Sequence, residues 1–292
     1  MIYLVFSGVL WGTGGLTGRL LSLHTHLSPT AVAGYRLLTG GLFLVLFATA
    51  TRHGRRPRGR AAWIRIGIVG ALSAGFQACY FAAVALTDVS LATLLTIGAA
   101  PVLVIGFEQA TGRRHLDTRV AATVSLAVLG LGLLVGEPPH GITMAHILIG
   151  AAFAVTSAAG FSAISLIGKS PVPGLDEVTM TGYSFTLGGL ALVAAATLTT
   201  GVGFAPTPEA LSLLAALGLV PTAIAYACYF IGLRDTAAST GTVTALLEPL
   251  TGTVLAIALL GDRLTAIGIA GAALLAVSVT AEAWQNRPRV SG

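Results

Sequence analysis

Charge is what this chain has least of. Only 9% of its 292 residues are charged against 55% hydrophobic, with a mean hydropathy of +0.88. A soluble surface of this size draws on roughly a quarter charged residues, so a water-facing globule is excluded. Cysteine occurs twice, at Cys79 and Cys228, both inside apolar stretches, which excludes a disulfide framework and leaves them as small packing residues. Six histidines, among them His24, His53, His115, His140 and His146, are scattered without metal-ligand spacing. No GxGxxG, P-loop, HExxH or Ser/His/Asp arrangement occurs, so no cofactor, no metal and no enzymatic chemistry is expected. Lysine occurs once, at Lys169, against fifteen arginines, and with the abundance of Ala and Gly this points to a bacterium with a GC-rich genome.

What is present is a series of apolar stretches, each about the length a helix needs to cross roughly 30 Å of hydrocarbon. Ten are expected, over 2–22, 30–51, 63–86, 89–111, 118–136, 143–167, 176–200, 209–233, 237–260 and 264–284. The first has neither a basic leader nor a small-residue cleavage pattern and reads as a retained helix rather than a signal.

Basic residues set the orientation. The link after the second stretch carries Arg52, Arg55, Arg56, Arg58, Arg60 and Arg65 and is assigned to the cytoplasm. Arg113, Arg114, Arg119, Lys169, Arg234, Arg287 and Arg289 then fall on the same side, Arg19 and Arg263 on the other, and Arg36 lies within a span. The expectation is a multi-pass protein of the bacterial plasma membrane with both termini cytoplasmic. Orientation accounts for the arginine run, so nucleic acid is not expected as a partner.

The chain also repeats itself. Ala78 to Phe81 reads ACYF and so does Ala227 to Phe230, 149 positions later. In the second stretch Gly34, Tyr35, Gly40, Gly41, Leu42 and Val45 match Gly182, Tyr183, Gly188, Gly189, Leu190 and Val193 at an offset of 148, and Pro101 matches Pro249 at the same offset. Five spans separate the copies, and an odd number of crossings reverses direction. The expected architecture is an all-α integral membrane protein, ten transmembrane helices as two inverted five-helix repeats, divided at 1–140 and 141–292. Such halves can rock about a site at the bilayer midplane, as secondary transporters do.

Polar side chains inside the spans are few enough to name. Ser73, Gln77 and Tyr80 share one face of the third helix, and Thr222, Tyr226 and Tyr229 repeat that face in the eighth. Such a stripe must face protein or water, bonding neighbouring helices or lining a cavity. Glu248 falls near the middle of the ninth span with Gly241, Thr244 and Thr251 on its face, where an ionised carboxylate costs about 2.5–3.5 kcal/mol unless paired or hydrated. It can exchange a proton, pair with a solute ammonium, or bond an adjacent helix. Glu108 lies near the cytoplasmic end beside Arg113 and Arg114 and is expected to snorkel to solvent. Arg36 can receive a carboxylate, snorkel outward or pair with Glu248. Pro101 and Pro249 free the carbonyls of Ile97 and Ala245, as expected of gates or of static kinks. Gly8, Gly12 and Gly15 are expected to let helices approach closely.

Several segments carry a resemblance: VLWGTGG with Trp11 and Gly12, SPTAVAGYRLL with Pro29 and Arg36, DVSLATLLTIGAAPVLV, and STGTVTALLEPLTGTVLAIALLGDRLTAIGIAGAALL with Glu248, Pro249, Gly261, Arg263 and Leu264. Over nearly its whole length the chain resembles ten-helix, EamA-like members of the drug/metabolite transporter superfamily. It departs from them at Asp262, where a glutamate is usual, and after Gly112, where no acid follows. The resemblance implies an exporter or exchanger of small metabolites, often amino acids or drug-like compounds.

The expected function is therefore export of a small organic metabolite by alternating access, either facilitative or with protons as coupling ion, with the bilayer as surroundings. Uptake, exchange or flipping of a lipid-like solute are the alternatives on the same fold. Glu248 and Arg36 are expected to read charge. Trp11, Gln77, Tyr80, Tyr226, Tyr229 and Thr244 are expected along the path, and Pro101 and Pro249 at its kinks.

Overall fold

A computed structural model describes residues 1–51, 56–87, 89–112, 118–135, 143–260 and 265–285. Arg52, His53, Arg55, Arg113, Arg114, His115, His140, Gly261, Asp262, Arg263, Leu264, Arg287 and Arg289 lie outside the described residues. The first seven helices are Ile2–Thr25, Pro29–Ala50, Arg60–Leu86, Val89–Ala110, Thr118–Val135, Met144–Gly168 and Glu177–Thr199. The eighth runs through Pro208–Gly218, a π-helical turn Leu219–Ile224, and Ala225–Leu233. The ninth is broken into Ala238–Thr244 and Leu247–Leu255, then widens into a π-helical turn Ala256–Leu260. The tenth is Ala266–Gln285.

Local chemistry explains where the helices start. The second opens on Ser28, whose hydroxyl accepts the Ala31 amide, with Pro29 in the first turn. Asp176 caps the seventh through the Thr179 amide, and Thr207 caps the eighth ahead of Pro208. Seven helices are long and apolar enough to cross a bilayer on length and composition alone, and Thr118–Leu134 and Ala266–Glu282 add shorter apolar stretches. Large apolar side chains such as Leu46, Leu148, Leu187 and Leu198 face outward, as they do when the solvent is lipid.

The two halves are intertwined by an inverted symmetry visible in the contacts. The second helix packs on the seventh and the fifth on the tenth, each against its own repeat mate. Third against sixth is matched by eighth against first, fourth against sixth by ninth against first, and third against seventh by eighth against second. Gly41 lies against the amide of Thr186 and Gly189 against the amide of Leu38, so close that a Cβ on either would fall 2.4 Å from that nitrogen. These two contacts exchange under the offset of 148, and the paired numbers rise on one helix as they fall on the other. The second and seventh helices therefore run antiparallel, and the halves are upside down relative to each other. Gly130 and Gly271 repeat the arrangement between the fifth and tenth helices, against Leu275 and Leu134.

Candidate functional site

Where the halves meet, the bundle encloses a cavity of about 590 Å³, walled by the first, second, third, fourth, sixth, eighth and ninth helices. Its mouth lies among Arg19, Ser22, Leu23 and Pro29, the end of the bundle opposite the link between the second and third helices. Its inner wall is aromatic. Trp11 is 2% exposed and packs against Phe161 at 5.9 Å and Tyr226 at 4.9 Å between ring centroids. The indole Nε1 of Trp11 is buried without a hydrogen-bond acceptor among the described residues.

Two charged groups face this space. Arg36 comes from the second helix, where Nε donates to Thr222 Oγ1 at 3.1 Å and Nη2 to the Pro221 carbonyl at 3.4 Å. Glu248 comes from the ninth helix, immediately after its break, and its carboxylate forms no ion pair with Arg36. The break has a local cause. Pro249 has no amide hydrogen to offer the Ala245 carbonyl, which takes the Glu248 amide at 2.9 Å and tightens the chain there. Pro101 lies within the continuous fourth helix. Ile97 and Ala245, four residues before the two prolines, both line the cavity.

The cavity brings together Trp11, Arg36, Gln77, Tyr80, Tyr226 and Glu248. Tyr80 also bridges to the fourth helix, with its hydroxyl 2.8 Å from Thr93 Oγ1. Tyr229 and Thr244 do not line it. The Tyr229 hydroxyl is bonded to Ser165 at 2.6 Å beneath the aromatic wall, and the Thr244 hydroxyl donates to the Thr240 and Gly241 carbonyls. The Ser73 hydroxyl is buried with no hydrogen-bond partner among the described residues, and Thr222 serves Arg36 rather than the cavity surface. The first helix meets the ninth through Gly8 against the Thr244 carbonyl and Gly12 against Thr251, whereas a Cβ on Gly15 would meet nothing within 4 Å among the described residues, and Gly15 lines the cavity. Phe161, Phe76 and Thr96 also line it and carry no signal in the sequence, because an aromatic or a threonine on an apolar helix looks the same toward lipid, protein or cavity.

The opposite end is closed. An Arg65 guanidinium nitrogen donates to the Ile167 carbonyl, and Glu177 pairs with Arg234 through both carboxylate oxygens. Glu282 accepts the Thr240 hydroxyl at 2.7 Å. Glu108, expected in solvent, is 5% exposed and accepts the Ala238 amide at 3.2 Å and the Ser239 hydroxyl at 2.7 Å. The reason is that Ala237 leaves the start of the ninth helix without a side-chain cap of its own, and the fourth helix supplies one.

The model of the EamA-like transporter family matches twice, over residues 1–136 and 148–281. The chain is 26% identical to the uncharacterized transporter YwfM of Bacillus subtilis (strain 168) over 276 residues, covering 94% of this chain and 90% of that one. It is 23% identical to the uncharacterized inner membrane transporter YicL of Salmonella typhimurium (strain LT2), covering 99% and 96% of the two. A crystal structure 19% identical in sequence matches with a TM-score of 0.75 over 98% of each chain, which shows the shared fold. With ten helices in two inverted halves and a family match in each half, this chain belongs to the EamA-like transporter family and is a multi-pass membrane transporter.

Proposed function

We propose that the protein exports a small zwitterionic metabolite, an amino acid or a drug-like compound carrying both charges, by alternating access. One observation carries this reading: Arg36 and Glu248 face the same cavity without pairing to each other. A lone charge in a membrane interior is costly, and a ligand that brings a carboxylate to one and an ammonium to the other offsets both costs. Trp11, Phe161 and Tyr226 supply faces for stacking, and the unmet indole N–H of Trp11 is a donor that a polar solute can satisfy. The halves 1–140 and 141–292 are the rocking units. With the arginine-rich link in the cytoplasm, the described state opens outward. Protons are the coupling ion, with Glu248 exchanging its proton against the solute ammonium.

The test is flux from proteoliposomes loaded with a mixed pool of amino acids and organic amines, read by mass spectrometry. Efflux of zwitterions that falls at least about tenfold in both Glu248→Gln and Arg36→Gln supports the reading. Equal efflux from wild type and both variants rejects it, and uphill uptake without efflux would reverse the direction.

A further inference from the structure

The third helix and its repeat mate, the eighth, differ in length. Through Thr222 the third and eighth helices correspond at the offset of 148: Gly188 lies against the Gly70 carbonyl and the Ala74 amide, and Gly40 lies against the Gly218 carbonyl and the Thr222 side chain. Beyond that point the offset is 149. ACYF at Ala78 to Phe81 returns at Ala227 to Phe230. The second copy therefore contains one residue more, and the surplus is absorbed in the π-helical turn Leu219–Ile224, while the third helix runs as unbroken α-helix.

The widened turn has a use. Pro221 has no amide hydrogen for the Leu217 carbonyl, and the Thr222 hydroxyl donates to that carbonyl instead, at 2.8 Å. With its proton committed, Thr222 Oγ1 can only accept, and it accepts from Arg36 Nε while the Pro221 carbonyl accepts from Nη2. In the symmetry-related corner Ser184 stands for Arg36, and Ser73 and Ala74 stand for Pro221 and Thr222. There the hydroxyls of Ser73 and Ser184 are buried without hydrogen-bond partners among the described residues. The inserted residue and the cation thus occur together, in one corner of the pseudo-symmetric pair.

We infer that the π-helical turn Leu219–Ile224 is a positioning element for Arg36, holding two of its nitrogens so that Nη1, which takes no partner among the described residues, is offered to a solute carboxylate. This rests on the reading of the cavity as the substrate site, and it makes carboxylate recognition a one-sided property of the eighth helix. Thr222 and Pro221 position; Arg36 is the group that binds.

The test uses the purified full chain and the modification of Arg36 by p-hydroxyphenylglyoxal, followed by peptide mass spectrometry. Thr222→Val removes the acceptor at nearly constant volume, Thr222→Ser keeps it, and deletion of Ala223 returns the eighth helix to the length of the third. Arg36 is expected to react about threefold faster or more in Thr222→Val and in the deletion than in wild type, with Thr222→Ser restored to the wild-type rate. Should the deletion fail to fold, the Val and Ser pair decides alone. Sodium 3-phenylpropanoate is expected to protect Arg36 in wild type, and phenethylamine is not. Equal rates in wild type, Val and Ser overturn the positioning role, and absent protection by the carboxylate, or equal protection by the amine, overturns the ligand assignment. Loss of transport with these rate differences intact would refute the proposed cycle and leave the inference standing, while active transport with equal rates would do the reverse.

Discussion

At the scale of single residues, the cavity is defined by groups whose valences are left over. Among the described residues Glu248 forms no ion pair, and a carboxylate that exchanges its proton against a solute ammonium makes efflux depend on external pH. Acid outside should speed release by protonating the group as the solute leaves. Glu248→Gln is expected to leave a folded carrier whose residual efflux is flat between external pH 5.5 and 8, about where the wild-type rate should vary severalfold; a retained pH profile would take Glu248 out of the coupling step. Trp11 offers a second case. Trp11→Phe keeps an aromatic wall against Phe161 and Tyr226 but deletes the orphan indole N–H. If a solute takes that hydrogen bond, KM should rise about three- to tenfold with kcat little changed, and initial-rate efflux kinetics would show it. A pure packing role predicts an unchanged KM.

At the scale of helices, the ninth is broken where Pro249 withholds a donor and the fourth is not broken at Pro101, although the two prolines are repeat mates. Pro249→Ala supplies the missing N–H, so the Ala245 carbonyl can rejoin an α-helical ladder and the Glu248 side chain swings out of its present direction. Slower hydrogen exchange of the 245–249 amides and flux reduced about tenfold are expected, with Pro101→Ala close to wild type in both. Much of this level was legible in the sequence. Hydropathy placed ten spans near their observed limits, and the repeats of Gly34–Val45 and of ACYF implied inverted halves. Other features were not legible, for physical reasons. Helical period puts Thr244 and Tyr229 on the same faces as Glu248 and Tyr80, but period cannot tell a cavity from a neighbouring helix, and Gly8 and Ser165 turn out to be those neighbours. The change of offset from 148 to 149 is written in the chain, yet only the glycine contacts assign it to one turn. The sequence neighbours of Glu108, Arg113 and Arg114, point to solvent, whereas its environment is set by the uncapped start of a helix 130 residues away.

At the scale of the whole molecule, the two ends of the pseudo-symmetric bundle are not equivalent. Among the described residues, two contacts made by charged side chains tie the first half to the second at the closed end, Arg65 on the Ile167 carbonyl and Glu108 on the start of the ninth helix. Each involves an ion, and the positions 148 residues later hold Leu213 and Ala256, which offer no such bond. Symmetric halves alone would open to either side with similar ease; ionic latches at one end bias the equilibrium toward opening at the other. A hydrogen bond to a charged group contributes about 1.5–3 kcal/mol, so losing the Glu108 latch should raise the population open at the arginine-rich end about tenfold or more. Leu233 is fully buried between the aromatic wall and that end, so a cysteine placed there, with Cys79 and Cys228 replaced by Ala, reports the opening. Its alkylation by a membrane-impermeant maleimide from the arginine-rich side should accelerate by that factor in Glu108→Ala and less in Arg65→Ala, which gives up one hydrogen bond between the halves where Glu108 gives up two. The same reagent applied from the cavity side should leave that cysteine unmodified in both proteins, because the position is fully buried behind the aromatic wall in the state open to that side. Acceleration from both sides would mean a loosened bundle rather than a shifted two-state equilibrium, and no acceleration from either would show that Glu108 caps a helix without holding the halves together.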